Sequence, residues 1–209
     1  MNNLLKLTLA FLKRSELDEE ILKQISSVKS FAERIRICNE HFQKIGTGSS
    51  RIAFLMPNDL VLKLAKNPKG IAQNRIENDG FLTNNWIVNS PVKADDNDLW
   101  TISIRAVKAK PSDFKELGFT FEEFKYALSN FCQKMGWSNY AQPTPNTMNP
   151  ERLKEIQDKD FFHELTNVMG NMGLLFGDII KISSWGKVDG QLMLIDFGIT
   201  EDLYNSLYR

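Results

Sequence analysis

Two aspartates flank a stretch whose sequence spells a short β-hairpin. Gln191-Leu-Met-Leu-Ile195 is a compact apolar run that reads as a buried strand. It delivers Asp196-Phe197-Gly198: a carboxylate, an aromatic anchor and a backbone pivot. Just upstream, Val188-Asp189-Gly190-Gln191 carries the Asp-Gly signal of a tight turn, which predicts that residues 185–188 pair with 191–195. Asp178 stands 18 positions before Asp196 and precedes the hairpin. Two carboxylates at one end of a hairpin can share a cation or a phosphate. Taken alone, Asp-Phe-Gly also fits a surface turn after a core strand, so the residues that could hold a phosphate must be sought upstream.

Lys44-Ile-Gly-Thr-Gly-Ser-Ser-Arg-Ile-Ala-Phe-Leu55, the turn Met56-Pro57-Asn58-Asp59 and Leu60-Val-Leu-Lys-Leu-Ala65 read as strand, glycine-rich turn, strand, tight turn, strand. Gly46 and Gly48, with Thr47 and Ser49 beside them, let the backbone approach a ligand and aim N–H groups at phosphate oxygens. The same string also fits an ordinary hairpin. It is not a Walker loop, because no Gly-Lys-Ser/Thr opens a helix. Lys63 is a charge inside an apolar strand, on the face of Val61 and Ala65. It either reaches solvent at a sheet edge or meets a specific partner, since an unpaired buried lysine is costly.

Glycine-rich hairpin, strand lysine, aspartate and Asp-Phe-Gly, in that order over residues 44–206, resemble the protein-kinase-like superfamily. The Ser-Ser-Trp-Gly run with Ile-Asp-Phe-Gly looks like short bacteriophage or bacterial kinase-like proteins with a truncated C-lobe. The resemblance implies an α+β, two-lobed fold. Its spans would be an N-terminal helical extension (1–43), an N-lobe with a five-stranded antiparallel sheet (44–108) and a reduced helical C-lobe (109–209). It implies ATP and Mg²⁺ as cofactors. Lys63 would orient the phosphates and pair with Glu77 on the next helix, read over Gly70–Thr83, where Asp79 is the other acid. Arg105 to Lys108, Val107 among them, would be the hinge that holds the adenine edge. Asp178 would position the acceptor hydroxyl, and Asp196 would hold the metal with Ser184 or Ser183.

The chain also departs from the family pattern. Phe176-Gly177-Asp178 stands where the family has His-Arg-Asp, and serine stands where it has a metal-binding asparagine. The chain runs on only to Arg209, so no activation segment or following helices are expected. The implied activity is phosphotransfer to a protein Ser/Thr or a small-molecule hydroxyl, with nucleotidyl transfer a further option in the same fold. The alternatives are a pseudokinase that docks on a host or virion protein, and a structural protein with chance motifs.

Composition is that of an ordinary globular chain, 42% hydrophobic and 25% charged. Zero formal net charge gives nucleic-acid coating no support. Cys38 and Cys132 lack metal-ligand spacing and read as buried thiols in a reducing cytoplasm, that of a host if the chain is phage-encoded. The N-terminal apolar stretch is too short for a bilayer and lacks a basic leader.

Apolar spacing predicts helices over 3–13, 17–43, Thr120–Met135 and Asp160–Leu174. The first two are expected to pack on the chain's own sheet. Trp86–Asn89 and Leu99–Ala106 read as strands, Asp95–Asp98 as a solvated hairpin tip, and 136–150 as a loop.

Overall fold

The protein is described here by a computed structural model over residues 18–82, 85–137 and 148–207. The helix expected over 3–13 and most of the expected loop, residues 138–147, lie outside these. The single helix expected over 17–43 is two: α1 over 18–27 and α2 over Phe31–His41. The break falls at Ser30, whose hydroxyl accepts the Glu33 N–H at 3.4 Å. A serine serves a helix start better than a helix interior, so the periodic pattern is cut there.

Five strands follow: β1 (Gln43–Thr47), β2 (Arg51–Met56), β3 (Leu60–Ala65), β4 (Lys93–Ala94) and β5 (Trp100–Ile104). They form one sheet in the order β1-β2-β3-β5-β4, with β1–β2, β2–β3 and β4–β5 antiparallel. Alternation along the strands sorts the two faces. Ile52, Phe54, Leu62, Leu64, Trp100 and Ile102 join Ile21, Leu22, Ile25, Ile37 and Cys38 in one buried cluster, so α1 and α2 cover that face. Lys63, Thr101 and Ser103 occupy the alternate positions, on the other face. Burial pushes the Cys38 thiol up to about 12, which leaves it inert at neutral pH.

The acidic tip is not simply solvated. Asp95 is buried; its carboxylate accepts the Asn97 N–H at 2.9 Å, the Leu99 N–H at 3.3 Å and the Ser26 hydroxyl of α1. Ser26 in turn accepts the Trp100 indole N–H at 3.0 Å.

The helix α3 (Pro68–Glu77) begins earlier and ends sooner than the segment expected over Gly70–Thr83. Asn67 accepts the Gly70 N–H through its side chain at 3.1 Å, and Pro68 fills the first helical position. Gly70 is required by crowding: a Cβ there would lie 2.3 Å from the Ser50 carbonyl oxygen and 3.0 Å from the Ala65 Cα. Past Glu77, Asp79 accepts the Phe81 N–H at 2.8 Å and turns the chain away from helix.

The chain divides into two compact units, one of residues up to Asn74 with Val92–Ser103, the other of Arg75–Pro91 with the residues from Ile104 on. The division differs from the three spans expected. Residues 18–41 share a core with the sheet, and the segment after Asn74 belongs to the second unit.

The second unit holds a three-stranded sheet, β6 (Val107–Lys108), β7 (Trp185–Val188) and β8 (Gln191–Leu194), in that order. Around it stand α4 (Phe121–Lys134), α5 (Pro150–Gln157), α6 (Asp160–Met172), α7 (Phe176–Ile179) and α8 (Glu201–Leu207). Its aromatic centre is Trp185, wholly buried, with the rings of Phe114, Phe161 and Phe124 at 5.5, 5.6 and 5.7 Å. The Trp185 indole N–H donates to the Ile179 carbonyl at 2.8 Å, so its burial leaves no polar group stranded. Thr120 and Glu123 form a capping box at the start of α4. Arg152 of α5 adds a 2.8 Å bond to the Glu123 carboxylate, which holds that group down to about 2.

The strand expected over Trp86–Asn89 is a single bridge, Val88 to Leu194. Asn85 takes the Ile87 N–H onto its side chain at 3.0 Å, and that local turn competes with pairing. The sheet's fourth strand is Lys93–Ala94 instead. Among the described residues, no helix is long and apolar enough to cross a membrane.

Candidate functional site

The hairpin expected from Asp189-Gly190 forms, with Trp185 facing Leu194 and Val188 facing Gln191. Asp189 and Gly190 have φ of 49° and 85°, the left-handed pair of a type I′ turn. At the open end of the hairpin, hydrogen bonds link the two aspartates through the backbone. Lys181 N–H donates to the Asp178 carbonyl at 3.2 Å and Ser184 N–H to the Lys181 carbonyl at 3.0 Å. The Ser184 carbonyl then accepts the Ile195 N–H at 2.8 Å and the Asp196 N–H at 3.4 Å. Phe197 is sunk in the core at 1% exposure while Asp196 is exposed, so the ring fixes the strand end beside the carboxylate.

Asp178 is half-buried and ion-paired to Lys181 at 2.6 Å. Ser184 is buried and Ser183 exposed. Asp196 and the serine hydroxyls are hard oxygen donors of the kind Mg²⁺ takes. Among the described residues no group of three or more His, Cys, Asp and Glu could hold a metal ion.

The same unit places the expected hinge against this hairpin. Val107 pairs with Lys187 and Lys108 with Gly186, and Ala109 N–H donates to the Trp185 carbonyl at 3.1 Å. Arg105 is exposed just ahead of β6, and the Val107 side chain is 72% exposed. This close approach depends on Gly186. A Cβ there would lie 2.7 Å from the Ala106 Cβ, 3.1 Å from the Val107 carbonyl oxygen and 3.2 Å from Ile195 Cδ1.

In the first unit, Lys63 sits in β3 opposite Ala53, partly buried, on the sheet face away from α1 and α2. The glycine-rich turn forms the hairpin that its sequence also fits. The Gly48 N–H donates to the Arg51 carbonyl at 2.8 Å, closing the hairpin instead of facing a ligand. Lys66 holds the Gly48 carbonyl at 2.9 Å and Asn67 the Ser49 carbonyl at 3.3 Å, fastening the turn to the start of α3. Gly46 sits at a bulge in β1, next to Thr47, which pairs with Ile52.

Asp178, Ser183, Ser184, Asp196, Arg105 and Val107 thus fall in one unit, and Gly46, Thr47, Gly48, Ser49 and Lys63 in the other. Glu77 belongs with the former and is fully buried at the end of α3.

Four residues were missed by the sequence reading. Lys181 was legible as a cation three positions after Asp178. Gly186 follows the Trp185 that the hairpin buries, and a glycine inside a strand signals close backbone approach. Thr101 and Ser103 were hidden in an apolar-looking strand. Both are buried, and among the described residues neither side-chain oxygen has a hydrogen-bond partner.

No protein-family model matches the chain. No curated protein matches it either. Among solved structures, it is similar to the GDP complex of a point mutant of aminoglycoside 2'-phosphotransferase-IIIa. Sequence identity is 16% and the TM-score 0.36, with 81% of this chain and 72% of that chain covered.

Proposed function

We propose that this protein is a kinase-like nucleotide-binding phosphotransferase that moves the terminal phosphoryl group of ATP to a hydroxyl. One observation supports the reading: a backbone hydrogen-bond path runs from Asp178 on α7 through Lys181 and Ser184 to Asp196 at the end of the buried hairpin. Phosphoryl transfer asks the protein mainly for position and charge, and this arrangement supplies both.

Asp178 orients the acceptor hydroxyl and accepts its proton. Asp196 holds the Mg²⁺, with the Ser184 or Ser183 oxygen as a further ligand. The ion, when bound, neutralises charge on the phosphate oxygens. The β6 backbone near Arg105 and Val107 borders the base. Lys63 contacts the phosphates, and Glu77 at the end of α3 is its proposed partner. The glycine turn at Gly46–Ser49 covers the phosphates only after its Gly48 N–H is released from Arg51.

A second reading follows from that engaged Gly48 N–H and from the ion pair that occupies Asp178. In it, the protein binds nucleotide without transfer and acts by docking on a protein partner, host or virion.

The test is turnover of terminally labelled ATP with a panel of protein and small-molecule hydroxyl acceptors. Label transfer by wild type should fall by about 10²–10⁴ in Asp178→Asn, with ATP affinity retained. Binding without turnover in wild type selects the docking reading. Equal turnover in both proteins removes Asp178 from the mechanism.

A further inference from the structure

Buried hydroxyls rarely go without a partner. Leaving one unmade costs more than most hydrogen bonds contribute, so each case in a native fold calls for a reason. Thr101 and Ser103 are two such cases on one strand, at 0% and 1% exposure. Both belong to β5, which adjoins β3 in the sheet. The Ala65 N–H donates to the Leu99 carbonyl at 2.9 Å, tying the two strands. Lys63 lies two positions along β3 from that bond, and Thr101 two positions along β5.

The neighbours Trp100 and Ile102 point into the cluster under α1 and α2, together with Leu62 and Leu64. Thr101 and Ser103 therefore share the Lys63 face. That face carries a cation and two hydroxyls that have no hydrogen-bond partner among the described residues, on strands locked in place by a core on their reverse side. A hydrophobic strand would be more stable with valine and alanine at these positions. Their polar atoms are retained at a cost that the chain alone does not recover.

We propose that the Thr101 and Ser103 hydroxyls are hydrogen-bond donors to the phosphate oxygens of the ligand that Lys63 contacts, and so help to set the position of the phosphate chain. This rests on the phosphotransferase reading for the identity of that ligand. The two side chains are binding residues for the phosphate chain. Their hydroxyls gain partners when the phosphate chain enters.

The experiment compares wild type, Thr101→Val, Ser103→Ala and Thr101→Ser for thermal midpoint and for calorimetric affinity toward ATP with Mg²⁺, inorganic tripolyphosphate and adenosine. Thr101→Val is isosteric and removes only an unpartnered oxygen, so its unliganded midpoint should equal or exceed that of wild type. Its tripolyphosphate and ATP affinities should each weaken about tenfold, Ser103→Ala should follow, and Thr101→Ser should restore most of the loss. Adenosine affinity should not move.

Stability that rises with unchanged tripolyphosphate and ATP affinity overturns the inference and leaves the phosphotransferase reading standing. Loss confined to adenosine overturns the phosphate assignment. A wild type that binds none of the three overturns the inference and the reading together.

Discussion

The two hairpins that the sequence marks as functional are built in opposite ways. In the glycine-rich one, every residue of β1 is exposed, and the turn's own N–H closes on Arg51. In the acid-bearing one, Trp185, Gly186, Val188, Leu192 and Leu194 are buried, and the strand end is pinned by Phe197. The glycines follow the same contrast. Gly46 and Gly48, which a motif search selects, have a nearest neighbour to any added Cβ at 3.8 Å and no left-handed φ. Gly186, inside a strand of the second hairpin, has one at 2.7 Å. A motif glycine can serve a ligand without being required by the fold. A glycine wedged between strands is required by the fold before any ligand arrives.

The sharpest break of this comparison is Trp185→Ala. Emptying the ring cluster around it should cost about 3–5 kcal/mol, read as a fall in the urea midpoint, and should abolish whatever chemistry the two aspartates support. A cost below ~1 kcal/mol would mean that the hairpin does not depend on this core.

Gly186→Ala comes next. Its Cβ meets a side chain and a backbone carbonyl, so about 1–3 kcal/mol should be lost. Gly48→Ala is the matched control, and its stability should stay within ~1 kcal/mol of wild type. Equal losses at the two positions would erase the distinction drawn between the hairpins.

A smaller effect concerns the support beneath Trp185. Hydrogen bonding from Arg152 leads the causes that hold Glu123 at about 2, below its ordinary 4.5. A depressed carboxylate stabilises the fold above its unfolded value, and that stability is lost as pH falls through its folded value. Between about pH 4.5 and pH 2 the wild-type urea midpoint should therefore fall toward that of Glu123→Gln, and above that window the gap should be full. A gap that does not change across the window would mean that the Glu123 charge contributes nothing.

Much of this was legible in the sequence, for reasons that also explain the misses. Asp-Gly between two apolar runs leaves few options but a tight hairpin, and β7–β8 formed where expected. Leu62 and Leu64 alternate with Lys63, so the lysine's face followed from period alone. The misses lie where side chains compete with backbone pairing. Asn85 diverted the stretch expected as the fourth strand, Ser30 cut one helix into two, and Asp95 folded into its own loop instead of reaching water. The Gly48 N–H bond to Arg51 was not legible, because composition says which backbone groups are free to turn and says nothing about which are already bonded. Thr101 and Ser103 escaped because a lone hydroxyl in a strand is ordinary until its neighbours are known to offer it nothing.

The central claim is that Asp196, at the end of the buried hairpin, holds the metal of a bound nucleotide. The direct measurement is the thermal midpoint of wild type and Asp196→Asn with ATP, with and without Mg²⁺. A ligand that binds the folded state alone must raise the midpoint. The account predicts a Mg²⁺-dependent rise in wild type that disappears in Asp196→Asn, each protein being compared with its own unliganded midpoint. An equal rise in both proteins, or none in either, would contradict it.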